Sequence, residues 1–483
     1  MLFNSLTYLV FFAAVFAVYW AMPWHRGRLA LLLVASWLFY AAWYPIYLLL
    51  MIGATFLNYA AGLAVGSTRA ARPVLSRRIV AATVTVNLAG LAFFKYLDFG
   101  LSSAGGLVTW LTGTTWSPPA VEIFLPLGIS FYTFQMIAYV VDVSRGECET
   151  IRSPWKMSLF IAFFPQLIAG PIVRTREFLP QLESKRTFSA AMLLHGFDLI
   201  AIGLVKKVLI ADQLAPFVER GFAAPEGLGA VPMLLAVYAY AIQIYCDFSG
   251  YTDIGRGCAS CLGYTLPVNF SYPYFAVNLS DFWRRWHITL STWLRDYLYI
   301  PLGGNRGGSW LTYRNLLLTM VLGGLWHGAS WCFVAWGLLH GVGLVMNRMI
   351  HERCGVPVNE PLLGGRAYRW LAMGATFHFV CLGWVFFRAP DFATAFAVLA
   401  EIGSAPLAGL ASPGSAELFR VLMMAIVLAG LWGAHVRTRQ ALFARWQEST
   451  AWHVVRPAVY FGVTALVTLC TTQHGAQFIY FQF

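Results

Sequence analysis

The stretch 278–308 reads NLSDFWRRWHITLSTWLRDYLYIPLGGNRGG, a basic, histidine-bearing island in an apolar chain, and LGGLWHGAS follows at 322–330 with His327 at its centre. Phe282, Trp283, Trp286, Leu290, Trp293, Leu294 and Tyr297 recur at three- and four-residue spacing, which predicts one helix with a single apolar stripe. Arg284, Arg285, Thr292, Arg295 and Asp296 fall largely on its other faces. Ser280 or Asp281 can cap its start, and Pro301 stops it. Such a helix lies in a membrane interface, with its aromatic rings in lipid or protein and its arginines toward water. Taken alone it is an anchor. His287 in the same turn as Trp283 and Trp286, and the PLGGNRGG loop beyond, add a functional reading, because glycines admit close backbone approach and Arg306 offers a partner for phosphate.

The surrounding sequence sets the solvent of this island. The chain has 483 residues, 59% hydrophobic and only 11% charged, with a mean hydropathy of +0.64. Apolar runs long enough to cross a hydrocarbon core of roughly 30 Å recur from one end to the other. Backbone groups in lipid must be satisfied within the chain, so the predicted fold is an all-α polytopic membrane bundle forming a single transmembrane domain over 1–483. Predicted spans lie near 2–22, 29–44, 46–65, 79–98, 121–141, 190–211, 229–248, 370–388, 418–435 and 457–473. Residues 1–22 lack the basic start of a signal peptide and are read as a first, uncleaved span.

The formal charge of +12 does not point to nucleic acid, because the basic residues are dispersed between apolar spans. Arg26 and Arg28 follow the first span, and Arg69, Arg72, Arg77 and Arg78 follow the next pair; the loop expected over 98–122 has no Lys or Arg; Arg145, Arg152 and Lys156 come after the span beyond it. The positive-inside rule then places the basic loops in the cytoplasm and both termini, including the closing FIYFQF, outside.

Two apolar segments begin and end at basic loops, 157–173 and 316–346. The first contains FFPQLIAGPIVR, whose Pro165, Gly170 and Pro171 interrupt a regular helix, so a re-entrant element is expected there. The eight cysteines are scattered, and no disulfide framework is predicted; Cys258 and Cys261 have metal-like spacing, but no second pair completes a site. There is no HExxH pattern, and no metal is expected.

His327 is the sharpest candidate for chemistry. It lies between the apolar runs 316–326 and 331–345, where an ionisable side chain is costly unless it faces a partner or a cavity. A neutral imidazole there can act as a general base toward a hydroxyl or thiol. His195, His340 and His378 also lie in apolar segments, and singly each reads as packing.

The chain resembles the membrane-bound O-acyltransferase family, and within it the bacterial alginate O-acetyltransferase type. The resemblance rests on PLGISFYTFQ (126–135), FFPQLIAGPIVR (163–174), QIYCDFSGYTDIGRG (243–257), FWRRWHITLSTWLRDYLYIPLGGNR (282–306), GGLWHGAS (323–330), FHFVCLGWVFFRA (377–389) and the closing FIYFQF. It implies a helical bundle with re-entrant and interfacial helices around a tunnel, His327 as the catalytic residue and His287 as the second family histidine. It also implies acetyl-CoA as the acetyl donor, met near the cytoplasmic face by Arg284, Arg285 and Arg306 with Trp283 and Trp286. Gln166, Arg174, Asp247, Ser249 and Tyr251 are the implied substrate-tunnel residues.

The implied setting is the bacterial inner membrane, within an exopolysaccharide biosynthesis complex. There a periplasmic SGNH-type acetyltransferase receives the acetyl group and places it on the polymer. Alginate is the first expectation; cellulose, peptidoglycan or teichoic acid as the polymer served, and a transporter or export scaffold that makes no bond, remain the alternatives.

Overall fold

A computed structural model describes residues 3, 5–116, 124–168, 170–404, 430 and 450–470. Among them the secondary structure is helical, without strands. Among the described residues five helices are long and apolar enough to cross a membrane: Pro45–Thr68, Pro73–Thr112, Ala230–Cys261, Trp331–Cys354 and Arg366–Arg388. The span expected at 418–435 and the terminal FIYFQF lie outside the described residues.

The chain divides into two compact units, one of residues 1–200 and 252–267, the other of 201–251 and 268–483. The first begins with α1 (Leu6–Ala21), α2 (His25–Ala41), α3 (Pro45–Thr68) and α4 (Pro73–Thr112), then α5 (Ile129–Arg145), α6 (Pro154–Ala162), α7 (Phe164–Leu167) and α8 (Thr175–Glu183). Where a loop was expected from residue 98, α4 instead continues to Thr112 and stops at Gly113 in the left-handed region (φ 68°). Its 40 residues make a rod of about 60 Å, longer than a bilayer core. Inside the bundle Asn58 on α3 and Asn87 on α4 exchange amide hydrogen bonds of 3.0 and 2.9 Å, a polar clasp between two apolar helices. The proline-interrupted segment breaks at Phe163, where the Phe164 N–H donates to Ser36 Oγ at 3.1 Å, so the interruption is buried in protein.

The boundary between the units passes through α9 (Ala190–Leu204) and α11 (Ala230–Cys261). Between them α9 widens into a π turn, Val205–Ala211, and continues as α10 (Asp212–Ala223). The rest of the second unit runs through α12 (Leu279–Trp283), α13 (Ile288–Leu294), a π turn (Arg295–Tyr299), α14 (Ser309–His327), α15 (Trp331–Cys354), α16 (Arg366–Arg388), α17 (Phe392–Gly403) and α18 (Thr450–Cys470). Its core is aromatic: Tyr240, Phe282, Trp286, Trp336 and Trp384 are all buried in one cluster.

Candidate active site

The second unit holds both histidines singled out by the sequence. His327 is the last residue of α14; Gly328 takes extended backbone, and Ser330 starts α15 by accepting a hydrogen bond on Oγ from the Cys332 N–H at 3.2 Å. The helices α14 and α15 run antiparallel at very short range. A Cβ on Gly337 would collide with the Met320 carbonyl and stand 3.0 Å from Val321 Cα, and one on Gly324 would stand 3.1 Å from Gly337 Cα. That approach buries His327 at 4% exposure. The rings of Trp326, Trp336 and Phe387 stand nearly edge-on to it, at 5.0, 5.1 and 5.2 Å between centroids.

His287 sits at a break. The single helix expected through 282–297 is two, because the chain turns at 284–287 between α12 and α13. Asn278, rather than Ser280 or Asp281, provides the cap, accepting from the Asp281 N–H at 2.9 Å. The apolar stripe is nevertheless buried as its spacing predicts, from Phe282 and Trp283 to Trp293 and Leu294. At the turn His287 takes φ 42° and ψ 55°, a left-handed backbone that costs a non-glycine residue about 1–2 kcal/mol. A strand-like pairing with an upstream segment holds it there: Ile288 N–H donates to the Asn269 carbonyl at 2.9 Å, and Ser271 N–H to the Arg285 carbonyl at 2.9 Å. The Asn269 side chain reaches His287 Nδ1 at 3.2 Å. Phe248 lies edge-on to the imidazole at 4.7 Å, and complete burial pushes its pKa down to about 3, so the ring is neutral at physiological pH.

The two sites share a wall. Trp326, which adjoins His327, also stands 6.2 Å from the His287 ring. Trp336 joins His327 to Trp283 at 5.7 Å, and Trp384 adjoins Trp286 at 5.0 Å. Trp283 and Trp286, expected beside the donor, are therefore rings of this chamber. His340, which the sequence presented as packing, belongs to it as well: fully buried, stacked on Phe282 at 6.1 Å, and 4.9 Å from Trp336. His378 is bonded instead to the Tyr238 hydroxyl at 2.7 Å, and His195 is exposed.

The three arginines differ in what they can still bind. Arg285 Nε donates to Asp281 Oδ1 at 2.9 Å. Arg284 is further from the same carboxylate, 3.8 Å, with its side chain 47% exposed. Arg306 is exposed on PLGGNRGG. Gly303, Gly304, Gly307 and Gly308 in that loop all have positive φ, between 57° and 113°, conformations that a side chain would strain. The loop is pinned from below by the Asn315 amide on the Gly304 carbonyl at 3.0 Å and by Arg348 on Asn305 Oδ1 at 3.0 Å. Arg306 and the half-exposed Arg284, whose guanidinium makes a long 3.4 Å bond to the Asn359 carbonyl, suit the phosphates of a nucleotide-bearing thioester; Arg285 suits them less because Asp281 holds its Nε at 2.9 Å.

The expected tunnel residues fall in both units. Gln166 and Arg174 are buried in the first unit, where Gln166 Nε2 donates to the Phe160 carbonyl at 2.7 Å. Asp247, Ser249 and Tyr251 are buried on α11 in the second. Asp247 there is one of three members of a charge cluster absent from the expectations: Lys207 Nζ, from the π turn, lies 2.7 Å from Asp247 Oδ1 and 2.8 Å from Asp212 Oδ1. Its sequence signal was a lysine inside the apolar run 190–211, an expensive residue unless paired. Among the described residues no group of three or more His, Cys, Asp or Glu could hold a metal ion. Cys258 and Cys261 are buried free thiols, with the Tyr8 hydroxyl 3.2 Å from Cys258 Sγ.

Comparison with known proteins places these features in a family. The sequence model described as MBOAT, membrane-bound O-acyltransferase family, matches residues 149–384, a segment that contains both histidines and the aromatic chamber's α12 and α15. A probable alginate O-acetylase of Pseudomonas aeruginosa is 40% identical over 423 residues, 85% of this chain and 78% of the relative. A peptidoglycan O-acetyltransferase of Helicobacter pylori is 38% identical over 396 residues, 76% and 72% of the two chains. A teichoic acid D-alanyltransferase of Bacillus subtilis is 29% identical over 283 residues, 55% and 69%.

Proposed function

Because the chain belongs to the membrane-bound O-acyltransferase family and is an O-acyltransferase, we propose that it takes acetyl groups from cytoplasmic acetyl-CoA and passes them across the bacterial inner membrane for O-acetylation of an exopolysaccharide. Alginate is the polymer favoured, through the 40% identical alginate O-acetylase relative. A periplasmic SGNH-type acetyltransferase is the proposed carrier of the group to the polymer.

The observation that carries this reading is the aromatic chamber in which two buried histidines share Trp326 as neighbour. Acetyl-CoA supplies the thioester. His327 takes the proton of the acceptor hydroxyl, the hydroxyl oxygen bonds to the acyl carbon as its bond to sulfur breaks, and the proton passes from His327 to the departing thiolate. The closely set rings exclude water from the reacting atoms and hold them in place. Arg284 and Arg306 bind the donor's phosphates at the cytoplasmic side, and Ser249 and Tyr251 line the acyl path within the second unit. The distribution of arginines supports a periplasmic location for both termini.

The test is release of free CoA from acetyl-CoA by purified protein, with and without a soluble acceptor partner, beside a His327→Ala variant of matched elution profile. A general base is worth roughly 10²–10⁴-fold, and a loss of that size is expected. A fully active His327→Ala protein removes the assignment. The peptidoglycan O-acetyltransferase relative, at 38% identity, favours a second polymer; ester-linked acetate measured on alginate and on peptidoglycan from a deletion strain decides between them.

A further inference from the structure

The bonding around Asn269 determines which nitrogen of His287 carries its proton. Asn269 Oδ1 accepts from the Thr289 backbone N–H at 3.2 Å and from the Thr289 hydroxyl at 2.9 Å, and it lies 3.2 Å from His287 Nδ1. A backbone N–H can only donate, so the amide atom facing it is the oxygen, and the flipped amide is excluded. A ring nitrogen at hydrogen-bond distance from that same oxygen must donate as well. Nδ1 therefore bears the hydrogen, and in the neutral ring Nε2 keeps its lone pair.

We infer that Asn269 is a positioning residue of the acyl transfer: it locks His287 in the Nδ1–H tautomer, so that His287 presents Nε2 as a hydrogen-bond acceptor. The inference rests on the reading of His287 as part of the active site. It assigns His287 a definite share in the reaction. With the proton of the acceptor hydroxyl taken by His327, Nε2 of the neutral His287 ring offers the reacting groups a lone pair and cannot donate a hydrogen bond to the carbonyl oxygen of the thioester. The strained backbone supports this assignment. A left-handed histidine persists only where its surroundings over-determine it, and such strain clusters at functional sites. The turn itself is held by the Asn269 carbonyl on Ile288 N–H, a backbone bond that a change of the Asn269 side chain leaves in place. The side chain's distinct task is the ring.

The tautomer can be read directly. In protein labelled with isotopic nitrogen in its histidines and reconstituted in nanodiscs, the His287 signals are identified by their absence from a His287→Gln sample. The Nδ1–H pattern is expected in the unaltered protein; an Nε2–H pattern overturns the inference without touching the case for His327. Asn269→Leu is expected to lose the Nδ1–H pattern and about 10-fold or more in turnover, with the KM for acetyl-CoA changed less than about two-fold, as for other residues that orient a working histidine. Asn269→Asp keeps the acceptor oxygen and the Nδ1–H signal, and recovers turnover relative to Asn269→Leu. Thr289→Val, which removes the hydroxyl's bond to the same oxygen and leaves the Asn269 oxygen on the ring, is expected to stay within about three-fold of the unaltered rate. Equal losses from Asn269→Leu and Thr289→Val mean that the oxygen only braces the turn. Full activity of His287→Gln, with the Nδ1–H pattern seen in the unaltered protein, instead defeats the catalytic reading of His287 and leaves the tautomer standing.

Discussion

His287 and His327 share one indole as neighbour but are held by opposite means. His287 is fixed by polar bonds: an amide oxygen on Nδ1, two backbone bonds that staple its turn to 269–271, and a left-handed backbone that those bonds maintain. His327 is fixed by packing, with three edge-on rings around an imidazole that ends a helix, and two glycines that let the next helix close over it. The difference teaches what each site tolerates. A polar clamp fails when an acceptor is removed, and a packed seat fails when an atom is added. The polar clamp of His287 also dictates a tautomer.

The largest contrast is therefore steric. Gly337→Ala places a methyl group against the Met320 carbonyl and the Val321 backbone, neither of which can rotate aside, so α14 and α15 must separate where they seat His327. Overpacking of this kind costs about 1–3 kcal/mol, and the variant is expected to melt at lower temperature and to lose acyl transfer together. An added methyl that leaves both melting temperature and CoA release unchanged breaks the claim that packing holds His327.

The second contrast is in pH. The His287 imidazole is pushed down to about 3 by burial, whereas an unfolded histidine titrates near 6.5. Below about 6.5 the unfolded chain takes up a proton that the folded site refuses, so the contribution of this residue is complete above that pH and is lost as pH falls toward 3. One proton over 1.5 pH units amounts to about 2 kcal/mol at pH 5. Unfolding midpoints of the unaltered protein are expected to fall between pH 7.5 and pH 5 by more than those of His287→Gln, in which the titrating group is gone. Parallel curves for the two proteins mean that His287 is solvated, and that its clamp is looser than the bonds around it imply.

The packed site was far more legible in the sequence than the clamped one. Residues 316–326 and 331–345 flank His327 as two apolar runs, and Gly328 and Ser330 mark the break, so a helix–turn–helix with histidine at the turn follows from local signals. Around His287 the local signals mislead. FWRRWHITLSTWL has helical spacing and contains neither glycine nor proline, and the break comes from Asn269, 18 residues upstream. Propensity yields there to a tertiary bond that no window on the island contains. The same reason hid the Lys207 cluster, whose partner Asp247 is 40 residues away in sequence. Asp98 was read as the end of an apolar span, yet α4 carries it as an ordinary helical position; a charged residue ends hydrophobicity and not the helix.

The smallest effect separates two adjacent arginines at the clamped turn. Arg285 puts Nε on Asp281 Oδ1 at 2.9 Å with a quarter of its side chain exposed, while Arg284 stands 3.8 Å from the same oxygen with about half exposed. An exposed or half-exposed pair of this kind contributes little to stability, about 0–1 kcal/mol, so neither substitution is expected to unfold the protein. They differ in what the guanidinium has left to offer an anion. Arg284→Gln is expected to raise the KM for acetyl-CoA by about 3- to 10-fold with turnover little changed, the pattern of lost binding common to ground and transition states. Arg285→Gln is expected to leave that KM within about two-fold, because its fork already serves Asp281. Saturation curves in acetyl-CoA for the two variants measure the difference. If Arg285→Gln raises KM and Arg284→Gln does not, the arginine bonded to Asp281 is the one that meets the phosphates, and the turn at 284–287 must release Asp281 when the donor arrives.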